Sequence, residues 1–240
     1  MKDLEKLNTL VSEYVTAGPR REHLLSFIET IGEKLEQAPA SSKVSFHHAY
    51  DGGLLLHIVE TFHIAKDMVT PVSESLNDTF SIGEDEYHTS ACVDAESLLI
   101  VSILHDCHKA CDALGSPQYE PNMLKSGSQS TAIPYKVNKE CFSFTFPYDG
   151  PDSHVSSLSW LLENNKMKIS NGGVKSLALI AGLSPVLFSL LTPYEKDAIE
   201  FHGGAYETSK YELSGTENPL TIIFHCADML SSRHGKTTKK

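Results

Sequence analysis

One stretch of the chain dictates much of the rest. From Ala95 to about Lys109 the sequence AESLLIVSILHDCHK is apolar nearly all round, which marks a helix buried in the middle of a domain. Such a helix needs other elements on every side, so the chain must wrap around it. Its last turn then becomes polar, with His105 and Asp106 adjacent. A charged pair finishing an apolar helix costs desolvation free energy unless something compensates it. A bound cation is one answer; a buried salt bridge with Lys109, one turn on, is the other.

The surrounding elements read as helices too. Leu4, Leu7, Val11 and Tyr14 recur at helical spacing, and after Gly18-Pro19 so do Leu24, Phe27, Ile28, Ile31 and Leu35, with Pro39 ending the second helix. A third begins near Leu54, carries the stripe Leu55, Ile58, Phe62, Ala65 and Val69, and is expected to close at Pro71. Ser153 can cap a helix carrying Leu158, Leu161 and Leu162. Thr192-Pro193-Tyr194-Glu195 is a capping box with Pro at the first helical position, stopped by Gly203-Gly204. Asn218-Pro219 starts a last helix through Leu230. Between Gly115 and Pro151 lies one long irregular stretch in which Tyr135 to Val137 and Cys141 to Phe146 predict a β-hairpin. Connections of this length serve as lids or binding loops, or are ordinary decorated surface. With 240 residues, 40% of them hydrophobic, and no internal repeat, the expected architecture is a single all-α domain.

The charge balance excludes some roles. A formal net charge of -11 argues against a broad nucleic-acid footprint, because polyanion affinity comes largely from Lys and Arg. The short basic end with Lys236, Lys239 and Lys240 reads as a frayed tail. The 5 cysteines form no CxxC pair and suit free thiols in a reducing compartment. No apolar run approaches the roughly 20 residues of a membrane span, and MKDLEKLNTL lacks the basic start and apolar run of a signal peptide. A cytoplasmic protein is expected.

Histidines and acids cluster at helix ends. His57 lies one turn into the third helix, His105 and Asp106 end the buried one, and His154 sits at the start of the next. His202 ends the capped helix and Asp228 lies on the last. Imidazole nitrogens and carboxylates are the ligands that divalent Zn, Fe and Mn accept. Six such groups can cage two ions, a device for polarising a phosphate and generating a nucleophile from water. A lone His at a helix end is more often a cap or a solvated residue; the His105-Asp106 pair carries more weight.

The order of these residues resembles the HD-domain superfamily of metal-dependent phosphohydrolases. HHAYDGGLLLHIVET (47–61) is similar to the HHA-x-x-GGLL-x-H string of HD domains in bacterial 3′-to-5′ exoribonucleases and related, often phage-borne, HD proteins. ILHDCHK (103–109) resembles their LLHD-x-GK, LTPYEKDAIEFHGG (191–204) a segment with a later metal-site His, and PLTIIFHCADML (219–230) the ending with the last Asp. The resemblance spans roughly residues 39–232. It divides the chain into N-terminal helices (1–38) packing on an HD helical bundle (39–232), with an irregular insertion around 115–151, and a basic tail (233–240).

By this resemblance His57, His105, Asp106 and Asp228 ligate the principal metal, with Asp106 able to bridge to a second ion. His154 and His202 ligate that second ion or, in one-metal members, bind phosphate. Asp106 and Lys109 are the catalytic residues, Lys109 also sitting near the phosphate oxygens. His48 and His108 are candidate substrate contacts; His48 is equally a loop cap, and His108, standing where the family has a glycine, can crowd the site, bind substrate or face solvent. His225 is expected to pack behind the ligands, and His63, His88 and His234 to lie on the surface. The implied cofactor is one or two divalent ions (Mn, Fe, Zn or Ni, with Mn or Fe favoured). The implied activity is hydrolysis of a phosphoester by metal-activated water. A small phosphorylated substrate, with a nucleotide favoured, agrees best with the acidic charge. The alternatives are 3′-to-5′ trimming of single-stranded RNA or DNA ends, and a non-catalytic module binding a nucleotide or protein. No membrane partner is expected, and the oligomeric state stays open.

Overall fold

The computed structural model describes residues 2–76, 79–82, 85–88, 93–144, 167–168, 171–204 and 218–234. These residues are mostly helical. Eight α-helices fall among them: α1 (Lys2–Tyr14), α2 (Pro19–Gln37), α3 (Gly53–Leu76), α4 (Ala95–Leu104), α5 (Gly172–Leu183), α6 (Pro185–Leu190), α7 (Pro193–Phe201) and α8 (Pro219–His234). None of them is long and apolar enough to cross a membrane. The three antiparallel strand pairs are β1 (Thr79–Ile82) with β2 (Asp85–His88), β3 (Tyr119–Pro121) with β4 (Tyr135–Val137), and β5 (Ser143–Phe144) with β6 (Met167–Lys168).

Helix α4 is the axis of the fold. Asp94 caps it by accepting from the Ser97 amide (2.6 Å), and every residue from Leu98 to Leu104 is buried. Helices α1, α3, α7 and α8 contact it, and Phe27, Phe62 and Phe224 are the largest fully buried side chains in the common core. Ser102, the one buried hydroxyl of α4, donates to the Leu98 carbonyl (2.8 Å) and so is satisfied within its own helix.

A second, polar fastening holds the outer helices to this axis. Arg20 of α2 pairs with Glu96 of α4 (3.2 Å) and with Glu195 of α7. Glu195 is fully buried and also closes the capping box: its carboxylate accepts from the Thr192 amide (2.8 Å) while its own amide donates to Thr192 Oγ1 (3.2 Å). One carboxylate thus starts α7 and ties it to α2.

The structure departs from the sequence reading at several points, among them helices α5 and α6 and the β1–β2 pair, which were not expected. Helix α3 runs through Pro71 to Leu76 rather than closing there. Proline removes one ladder hydrogen bond, but packing of the preceding turns on α4 and α8 outweighs a single lost bond. The hairpin has a different partner. Tyr135–Val137 pairs with Tyr119–Pro121, Tyr119 lying opposite Val137, while Ser143–Phe144 pairs with Met167–Lys168. Helix α8 also continues past Leu230 to His234. The helix expected after Ser153 lies outside the described residues.

The β3–β4 pair is docked on the body. Ala132 O accepts from the Val44 amide (3.1 Å), Ser42 O from the Tyr135 amide (3.4 Å), and the Tyr135 hydroxyl donates to Asp51 Oδ1 (2.5 Å). All three bonds reach the loop that leads into α3.

Thr192→Ala removes one half of the capping box and is expected to cost about 1 kcal/mol, lowering the melting temperature by roughly 2–4 °C. Thermal unfolding followed by circular dichroism measures it, and an unchanged midpoint would show that the box adds nothing to the Arg20–Glu195 fastening.

Candidate metal centre

Five of the residues singled out from the sequence meet behind the last turn of α4. His57 comes from α3, His105 and Asp106 from the end of α4, His202 from the end of α7 and Asp228 from α8. His57, His105 and Asp106 form one set whose ligand atoms all lie within 4.8 Å of one another, and His105, His202 and Asp228 form a second. Either group can hold a metal ion, and His105 belongs to both.

Local sequence features put these side chains there. Helix α4 gives way after Leu104 to a single 3₁₀ turn, Cys107–Lys109, which brings Asp106 and Lys109 onto one side so that Lys109 Nζ donates to Asp106 Oδ2 (2.5 Å). Gly53 opens α3 because a Cβ there would collide with the His48 carbonyl, which crosses the helix start. His202 caps α7. Just beyond it Gly204 takes φ +57°, and a Cβ at that position would collide with the His225 ring. His225 uses the space to donate from Nδ1 to the His202 carbonyl (2.6 Å).

The hydrogen bonds behind each imidazole fix which nitrogen faces inward. His105 Nδ1 meets the Ser102 carbonyl (2.8 Å) and His202 Nδ1 the Ile199 carbonyl (2.8 Å). A carbonyl can only accept, so both Nδ1 atoms carry the proton and Nε2 is the lone-pair atom of the neutral ring. Behind His57 the acceptor is Ser231 Oγ (3.0 Å), whose own proton goes to Glu60 Oε2 (3.3 Å). Outer acceptors of this kind orient metal-binding histidines.

The inward atoms are therefore crowded with lone pairs. His57 Nε2 lies 3.3 Å from His105 Nε2, 3.0 Å from Asp228 Oδ1 and 3.6 Å from Asp106 Oδ2. Asp106 faces both ways: Oδ2 is 3.4 Å from His105 Nε2, and Oδ1 is 3.6 Å from His202 Nε2. Burial lowers the His57 pKa, so the ring is held neutral and its Nε2 meets acceptors with no proton to offer. Burial would raise both carboxyls, yet both lie below the usual carboxylate range, Asp106 chiefly through the Lys109 ammonium beside it. One lysine stands against two carboxylates, Asp106 buried and Asp228 partly so. Among the described residues no lysine or arginine pairs with Asp228, and a divalent cation bound here would supply the missing charge and accept the converging lone pairs. The donor set of nitrogen and oxygen suits Mn, Fe, Zn or Ni.

The remaining expected residues take other places. His154 lies outside the described residues. His48 turns away from the cluster: at φ +46° its ring bonds Tyr50 Oη (2.9 Å) and Glu60 Oε2 (2.8 Å), so it braces the carboxylate that holds Ser231 behind His57. His108 is neither solvent-facing nor open to a ligand. It is buried, with Nδ1 on Ser176 Oγ (2.9 Å), and Ser176 in turn donates to the His105 carbonyl (2.6 Å). His63 is exposed, while His88 and His234 have no described side chain.

Two functional positions were missed. His47, not His48, packs against the His57 ring, tilted by 49° at 4.6 Å between centroids; its Nε2 is buried without a hydrogen-bond partner among the described residues, and burial lowers its pKa to about 3. The HHA string names both histidines, and only the left-handed backbone of His48 decides which one faces in. Ser176 carried no sequence signal beyond the Asn171 cap that starts α5 by accepting from the Val174 amide (3.0 Å).

No protein-family model, curated protein or solved structure matches the chain.

Three imidazoles, His47, His57 and His108, are held neutral by burial, below their ordinary 6.5. The unfolded chain takes up protons on these groups as pH falls through about 6.5 while the folded chain does not, so stability falls with pH there. The depressed carboxyls act only below about pH 4 and leave this window alone. Metal-stripped protein is expected to melt at a lower temperature at pH 5.5 than at pH 7.5; equal midpoints would mean the histidines are not buried neutral.

Proposed function

We propose that the chain is a metal-dependent phosphohydrolase of the HD type, acting on a small phosphorylated substrate, with a nucleotide favoured over a nucleic-acid polymer. The observation that carries this reading is the double-faced Asp106, with Lys109 on one oxygen, His202 facing the other, and two histidine–aspartate groups on either side. A structural site needs only a closed shell of ligands, whereas a lysine bonded to a carboxylate that faces both groups places a positive charge beside the centre.

A divalent ion bound at these residues supplies Lewis acidity, which acidifies water and polarises a phosphoryl oxygen. The chain does the rest. His57, His105 and Asp228 fix the position of the charge through Nε2 and carboxylate atoms whose orientation is locked from behind. Asp106, ionised at neutral pH, can accept the proton of an attacking water held beside it. Lys109 stays protonated because Asp106 raises its pKa against the lowering effect of burial. It is therefore available to stabilise negative charge gathering on the phosphoryl oxygens. The apolar walls from α4 and Phe224, whose ring sits 5.0 Å from that of His105, exclude bulk water and strengthen each of these interactions.

His105→Ala and Asp106→Ala are expected to abolish hydrolysis of phosphomonoester or phosphodiester substrates with native circular dichroism retained. Lys109→Ala should lower kcat by about 10²–10³-fold. A panel of nucleotides, cyclic dinucleotides and short oligonucleotides, run with Mn, Fe, Zn and Ni, checks this; full turnover in both the His105 and Asp106 variants would refute the proposal.

A further inference from the structure

A cavity of about 280 Å³ opens on the far side of Lys109 from the metal ligands, between the end of α2, the loop into α3 and the β3–β4 pair. Its walls include Lys34, Pro39, Asp51, Lys109, Tyr119 and Tyr135. Lys109 therefore belongs to two places at once: its side chain lines the cavity and its Nζ is bonded to Asp106. Whatever fills this space lies one side chain away from the candidate centre.

The chemistry of the walls is selective. Tyr119 and Tyr135 present aromatic surface, and proline rings add flat apolar faces, a lining that favours a planar ring system over a sugar or an alkyl chain. Lys34 forms no ion pair with any described residue, so a cation stands ready at the wall for an oxygen of the ligand. The volume lies just below the usual range of about 300–1,000 Å³ for small-molecule pockets, which matches one ring system with its sugar and leaves no room for a run of nucleotides.

The walls are also held in place. Tyr135 is 7% exposed and its hydroxyl is anchored on Asp51 (2.5 Å), while β3 carries Tyr119 in register opposite Val137. The β3–β4 pair belongs to the irregular stretch after Gly115, whose described residues supply no ligand to the centre.

We propose that this cavity is the recognition pocket for the non-reacting part of the substrate, and that it takes the base and sugar of a single nucleotide: the ring lies against Tyr119 and Tyr135, Lys34 contacts an oxygen on the far side, and the phosphate lies toward Lys109. The assignment rests on the phosphohydrolase reading for the direction of the phosphate, but the pocket itself is tested by binding alone. Isothermal titration of the metal-free full chain with the four ribonucleoside 5′-monophosphates, and with ribose 5-phosphate as the ringless control, is the experiment. At least one nucleotide is expected to bind about tenfold or more tightly than ribose 5-phosphate. Tyr119→Ala and Lys34→Ala, both at half-buried surface positions, should each weaken that binding by about tenfold. Equal binding of nucleotide and ribose 5-phosphate, no nucleotide binding at all, or both variants binding as the parent does would overturn the pocket. Hydrolysis of bis(p-nitrophenyl) phosphate without nucleotide binding would sink the pocket and leave the hydrolase standing; nucleotide binding as expected, with no hydrolysis under any metal, would do the reverse.

Discussion

Everything near the end of α4 depends on an electrostatic mismatch. Three imidazoles turn Nε2, and two carboxylates turn oxygens, toward one small volume, with a single lysine as the only fixed positive charge among the described residues. Acceptors facing acceptors at 3.0–3.3 Å are unfavourable in a medium that screens poorly. A divalent cation converts that repulsion into ligation. The fold carries a standing cost at this point in the absence of an ion.

The outer layers explain how the mismatch is held. The Ser102 and Ile199 carbonyls, and the chain from Glu60 through Ser231, lock the three rings with Nδ1 outward and Nε2 inward. Each lock comes from a different helix or helix end, so the centre exists only when α3, α4, α7 and α8 are assembled. The Arg20–Glu195 fastening and the capping box of α7 set the position of His202 from the opposite end of the same helix. Site and fold are one mechanical unit.

Much of this was legible in the sequence, for a physical reason: helix ends are encoded locally. The all-round apolar run of α4 and its abrupt polar finish, the Thr192–Glu195 box and the Gly203-Gly204 stop each report on a few neighbouring residues, and together they place His105, Asp106 and His202. What failed to appear depends on distant partners. Which strand pairs with Tyr135–Val137 is decided by docking on the loop at Ser42 and Val44, not by the strand itself. Whether His47 or His48 faces inward is decided by one left-handed residue next to Gly53. The bond from Ser176 to the His105 carbonyl joins positions far apart in the chain, and nothing in the residues around Ser176 announces it.

The central claim is that this cluster is a metal centre, and direct metal titration tests it most simply. The chain, stripped with chelator and titrated with Mn(II) under calorimetry, is predicted to bind at least one ion per chain at pH 7.5, where the buried His57 ring is neutral and the Asp106 and Asp228 carboxyls are ionised. The same titration of His105→Ala, which removes the ligand common to both groups, is predicted to show no binding. An unaltered isotherm in that variant, or no uptake of Mn, Fe, Zn or Ni by the parent chain, would contradict the account.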